Sequence, residues 1–185
     1  MPVPQSTIPP RDGRSSLTHV IIDTPGGSRN KFKFDDELRI FTISRILPRG
    51  LHFPYDFGSV PGTCAADGDP LDVLVIAEAP TFPGCLIKVR LIGGIRAQQR
   101  EGTHLIRNDR LIAVPQTAVN PAPISSINSL AAAQLHEIEQ FFISYNRAQG
   151  RELRIHSRFT AATAERLLSA AIRACQRHER QRDSR

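Results

Sequence analysis

No helical periodicity appears before Ser129, and this constrains the fold more than any other feature of the chain. In its place stand short apolar and β-branched runs at 17–23, 31–34, 38–45, 72–77, 85–92 and 110–114. They are separated by polar or Pro/Gly turns such as Thr24-Pro25-Gly26-Gly27 and Asp35-Asp36-Glu37. The 14 Pro and 12 Gly among 185 residues supply the turns that such a pattern needs. Helical spacing begins with Ser129 read as an N-cap, followed by Leu135, Ile138, Phe142 and Tyr145 on one stripe. A second helix is expected from about Thr160, with Leu167, Leu168, Ala171, Ile172 and Cys175 on its apolar face. Strands first and helices last predict an α+β fold, in which a closed or strongly bent sheet is covered by helices.

The length favours one domain, placed at 17–178, with a flexible arm at 1–16 and a basic flexible tail at 179–185. The formal net charge is +6, but the stretch from Arg173 to Arg185 holds Arg173, Arg177, Arg180, Arg182 and Arg185 against only Glu179 and Asp183. Much of the basicity therefore belongs to the end of the chain. The basic segments lack the interleaved aromatics of a stacking platform, so no nucleic-acid partner is expected. No apolar run is long enough to span a bilayer and no secretory leader is evident, so no membrane partner is expected either. Cys64, Cys85 and Cys175 are odd in number and widely spaced, which argues against a disulfide framework and for a reducing cytoplasm.

The densest group of potential ligands is Asp67-Gly68-Asp69-Pro70-Leu71-Asp72, directly before Val73-Leu74-Val75. Three carboxylates in six residues repel one another, and oxygen-only donors suit Mg²⁺ or Mn²⁺. The same residues also suit a solvated turn. Lys31, Arg45 and Arg110 lie in or at the ends of expected strands, where they could oppose those carboxylates. Carboxylate-held metal facing Lys and Arg is the constellation that phosphoryl transfer requires.

From Val20 to Pro115, and again at Phe141-Phe142-Ile143-Ser144-Tyr145, the chain resembles the family I soluble inorganic pyrophosphatases. Asp67-Gly68-Asp69-Pro70-Leu71-Asp72-Val73-Leu74-Val75 is close to that family's signature. Phe53-Pro54-Tyr55-Asp56-Phe57-Gly58, Pro83-Gly84-Cys85 and Arg110-Leu111-Ile112-Ala113-Val114-Pro115 follow in the same order. The resemblance implies a small closed, OB-like β-barrel of about five main strands flanked by C-terminal helices. It also implies hydrolysis of pyrophosphate to two phosphates with Mg²⁺, or Mn²⁺ as a substitute, and a homo-oligomer, often a hexamer. By position, Asp67 and Asp72 would ligate metal, Asp69 would accept a proton from the metal-activated water, and Lys31, Arg45, Arg110 and Tyr145 would hold the phosphates.

Several positions depart from the family pattern. Asp23 stands where a Glu is usual, Phe53 and Phe57 replace tyrosines, Asn146 replaces a Lys, and Lys33 replaces a Glu. The ammonium of Lys33 would then lie near pyrophosphate and supply positive charge. The 98–108 loop is longer than the common bacterial form, which leaves the register of two further metal ligands open: Glu101 and either Asn108 or Asp109, with Asp109 preferred. Two alternatives accompany the leading reading: a hydrolase for another phosphoanhydride, and a non-catalytic phosphate-binding protein.

Overall fold

Apolar and β-branched runs that are buried along nearly their whole length build the centre of the sheet. The structure is a computed structural model that describes residues 8–66, 68–116 and 124–183. In chain order its elements are β1 (Thr18–Thr24), β2 (Asn30–Asp35), β3 (Ile40–Ile46), β4 (Asp56–Val60), β5 (Leu71–Val75), β6 (Leu86–Glu101), β7 (His104–Arg107) and β8 (Arg110–Pro115). Then come a 3₁₀ turn (Ile127–Ser129), α1 (Ala132–Arg147), β9 (Glu152–Thr160) and α2 (Ala161–Asp183).

The order β1-β4-β5-β8-β6, with β6 returning to pair with β1, closes five strands into a ring. All these pairs are antiparallel except β5–β8, which is parallel. This is the closed sheet of the expected α+β fold. The long β6 projects beyond the ring and carries β7 and β9, while β2 and β3 form a separate hairpin. One core holds Phe53, Phe57, Leu74 and Ile112 with Ile138 and Phe142 of α1. The other holds Val20, Ile22, Val73 and Leu111 with Ala164 and Leu168 of α2.

Some elements differ from the sequence expectation. Ser129 ends the 3₁₀ turn rather than capping α1, whose N-cap position is Ala131 with no side-chain cap; the Ser126 hydroxyl caps the 3₁₀ turn instead, accepting from Asn128 N. Strand β9 lies between the two helices, so the helices are not the last uninterrupted block. Residues 179–183 continue α2, because nothing between Ala161 and Asp183 is a Gly or Pro that would stop it. Residues 8–16 lie against the body: Arg11 pairs with Glu165 of α2 at 2.5 Å, Lys88 reaches Asp12 at 3.0 Å, and His19 N donates to Pro10 O. Among the described residues no helix is long and apolar enough to cross a membrane.

Candidate active site

Three short pieces of backbone bring the charged residues together. The turn Ala65–Asp69 is closed by Ala65 N donating to Asp69 O and Gly68 N to Ala65 O. Gly68 sits at φ 88°, a left-handed conformation that glycine adopts without steric cost. The turn feeds β5, where Leu71, Val73 and Val75 face one core and Asp72 and Leu74 face the other side. The parallel register sets Val73 beside Leu111 and therefore Asp72 beside Arg110, the first residue of β8. At the end of β1, Ile22 pairs with Gly58 and Thr24 with Phe57, which makes Asp23 the extra residue of a bulge. Bulges re-aim a side chain.

The result is a cavity of about 360 Å³ lined by Asp23, Lys31, Lys33, Asp69 and Asp72, with Phe57 on its wall. Asp72 and Arg110 form an ion pair in which the guanidinium is only 8% exposed. Arg110 also donates to Asn108 Oδ1, and Asn108 donates to Gln99 Oε1 at 2.7 Å. Arg110 Nε is buried and finds no hydrogen-bond acceptor among the described residues. Lys33 Nζ is 4.0 Å from Asp69 Oδ1, with both side chains about 70% exposed. Lys31 Nζ lies over the rings of Tyr145 (5.3 Å) and Phe57 (5.9 Å), and the Arg110 guanidinium over those of Phe142 and Phe57. Loss of hydration pushes the Asp23 carboxyl up to about 7; the negative charge of Asp72 adds to this, and Lys31 and Lys33 oppose it.

Lys31, Lys33, Asp69 and Asp72 line this one cavity, and Arg110 adjoins it through its ion pair with Asp72. Arg45 is exposed, and directly opposite Lys31 across the β2–β3 hairpin. Like charges facing each other disfavour the hairpin unless an anion lies between them. Tyr145 is buried on α1 with its ring against Lys31. Asp67 lies outside the described residues.

Asp109 does not line this cavity but a second one of about 350 Å³, together with Asp72 and Arg110. Both oxygens of Asp109 are engaged elsewhere, Oδ1 by Ala97 N at 3.2 Å and Oδ2 by Arg107 at 2.5 Å. Glu101 ends β6 beside His104, six residues beyond the Ile95 that faces Arg110. At roughly 3.3 Å per residue, that is about 20 Å along the strand. Gln99, which the sequence reading missed, is 7% exposed and tied to Asn108 instead. Its signal was the period-two run Ile95, Ala97, Gln99, all turned inward. Of the two departures to phenylalanine, Phe53 is packed in the core against Phe57, Phe141 and Tyr145, whereas Phe57 lines the cavity.

Among the described residues no three His, Cys, Asp or Glu side chains form a group that would by itself hold a metal ion. Mg²⁺ does not need one, since it is commonly bound by one or two carboxylates together with water and substrate phosphates. Asp72 and Asp69 at a polar cavity, with the donor Arg110 Nε awaiting an acceptor, fit a hard divalent cation accompanied by an oxyanion.

A family model described as inorganic pyrophosphatase matches residues 20–176. The chain is 40% identical over 136 residues to an inorganic pyrophosphatase of Synechocystis sp., covering 74% of this chain and 78% of that protein. It is 32% identical over 167 residues to one from Sulfolobus acidocaldarius, covering 89% and 94%. The crystal structure of inorganic pyrophosphatase from Thermus thermophilus aligns with a TM-score of 0.85 at 27% identity, over 94% of this chain and 99% of that one.

Proposed function

The chain belongs to the inorganic pyrophosphatase family and is an enzyme of that class, and from this premise we propose that it hydrolyses pyrophosphate with Mg²⁺ at the Asp69–Asp72 cavity. The observation that carries the site assignment is the buried Arg110 Nε, a charge-assisted donor with no acceptor among the described residues, on a guanidinium paired with Asp72 of the carboxylate-lined cavity. When bound, the ion would lower the pKa of a coordinated water and neutralise phosphate charge.

The chain's own residues divide the remaining work. Asp72, with Asp67, would hold the ion. Asp69, exposed at the cavity mouth, would accept the proton of the attacking water. Arg110 and Lys31 would each hold a phosphate group, with Arg45 and Tyr145 completing the anion site from β3 and α1. The rings of Phe57 and Phe142 lie against these bases and would limit their hydration on that side. A cytoplasmic setting accords with Cys64, Cys85 and Cys175 forming no disulfide among the described residues. A homo-oligomer accords with the exposed Ile40, Ile43 and Ile46 on the β2–β3 hairpin.

A second reading, hydrolysis of a larger phosphoanhydride, is favoured by one feature. A cavity of about 350 Å³, walled by Leu167, Ala170 and Ala171 of α2, reaches Asp72 and Arg110 from the other side. Phosphate release from pyrophosphate, tripolyphosphate and a nucleoside triphosphate, measured in parallel with Mg²⁺, separates the two. Pyrophosphate should be the preferred substrate by a wide margin; faster release from a nucleotide would overturn that and favour the second reading.

A further inference from the structure

The cavity's carboxylates already have basic partners within the protein, and the two pairings differ in kind. Asp72 faces Arg110, which is buried and braced by the amides of Asn108 and Gln99. Asp69 faces Lys33 at 4.0 Å, with both side chains largely in water. An exposed pair of this kind is weak and exchanges readily, whereas a buried, braced guanidinium stays in place. Lys31 and Lys33 are two residues apart on β2, and both line the cavity.

Resting on the metal-site reading above, we propose that Lys33 is an exchangeable counter-cation. In the metal-free site it neutralises Asp69; an incoming divalent ion displaces it, and its freed ammonium then takes an oxygen of the bound phosphate. One side chain thus acts on two ligands with opposite sign. It occupies Asp69, the acceptor for the ion's coordinated water, and so weakens binding of the metal alone. It adds a charge-assisted hydrogen bond to phosphate and so strengthens phosphate binding to the metal-loaded site. Metal and phosphate therefore favour each other's binding more strongly than they would without this lysine, and by linkage the effect is reciprocal.

The test needs no turnover. Mn²⁺ binding is measured by the electron paramagnetic resonance of the free ion, and inorganic phosphate binding by calorimetry at saturating Mn²⁺, for wild type, Lys33→Met and Lys33→Arg. In Lys33→Met, Mn²⁺ alone should bind about fivefold tighter, the effect of removing one exposed charge near a ligand. Phosphate should bind the Mn²⁺-loaded variant several-fold more weakly, and Lys33→Arg should stay near wild type on both axes. Tighter Mn²⁺ with unchanged phosphate would overturn the exchange and leave plain repulsion. No change in either would mean that Lys33 points only to solvent. Absence of both Mn²⁺ and phosphate binding in the wild type would instead overturn the metal-site reading itself. Lys33 is exposed on a hairpin, so folding of the variants is not at stake, and an unchanged melting temperature verifies this.

Discussion

Asp69 and Asp72 stand three positions apart, yet their removal should cost different things. Asp72 is the counter-charge of a guanidinium that is 8% exposed. Asp72→Asn should abolish nearly all turnover and also leave Arg110 without its partner, lowering apoprotein stability by about 1–3 kcal/mol. Asp69→Asn should lose turnover comparably while leaving stability within about 0.5 kcal/mol, since its pairing with Lys33 is exposed. Urea unfolding beside a phosphate-release assay checks both; equal stability losses would mean that the Asp72–Arg110 pair is not structural.

Asp23 gives a pH signature. Its carboxyl titrates at about 7 in the folded protein against 3.8 in a free side chain, so the folded state holds the proton more tightly. The stability tied to that proton is complete below pH 3.8 and is lost as pH rises toward 7 and through it, by roughly 2–4 kcal/mol. In EDTA, wild type should be less stable at pH 8 than at pH 5, and Asp23→Asn should remove much of the difference; parallel curves for the two proteins would contradict this.

At the scale of elements, β4 decides how closely the ring can close. A Cβ on Gly58 would lie 2.1 Å from Ile21 O and 2.9 Å from Ile22 Cα, both backbone atoms of β1. Gly58→Ala must therefore push two paired strands apart, and a loss on the order of 3 kcal/mol or more is expected, read as a drop in the urea midpoint. A change under about 0.5 kcal/mol would mean that the strands are not held at this spacing. The same strand shows why some elements escaped the sequence. β4 is Asp-Phe-Gly-Ser-Val, poor in β-formers, and is a strand because both its neighbours require one. β9 buries little beyond Leu153 and Phe159, and the outer half of β6 is Arg-Ala-Gln-Gln-Arg-Glu, so polarity hid both. The apolar strands β1, β5 and β8 and the amphipathic helices were legible because period and composition agree there.

At the scale of the whole molecule, what the sequence disclosed of the site follows from how its parts are joined. The aspartates of 67–72 are contiguous, so their motif could be read directly. The brace behind Arg110 comes from β6, β8 and the turn before β8, and only the register of a closed ring sets Gln99, Asn108 and Asp72 around one guanidinium. Glu101 and Asp109 are carboxylates at an attractive spacing; the length of β6 sets the backbone of Glu101 far from that of Arg110, and Asp109, which lines a cavity with Asp72 and Arg110, is bonded to Arg107.

The ring and the separate β2–β3 hairpin thus bring a buried cation, an exchangeable lysine and two carboxylates together, and this arrangement should cleave pyrophosphate when Mg²⁺ is present. The direct measurement is phosphate released from pyrophosphate by enzyme stripped with EDTA, before and after Mg²⁺ is restored, with Asp72→Asn treated identically. Release should be negligible in EDTA, return fully with Mg²⁺ in the wild type, and remain at least about a hundredfold lower in the variant. Equal release with and without Mg²⁺, or full activity in Asp72→Asn at ordinary Mg²⁺, would contradict it.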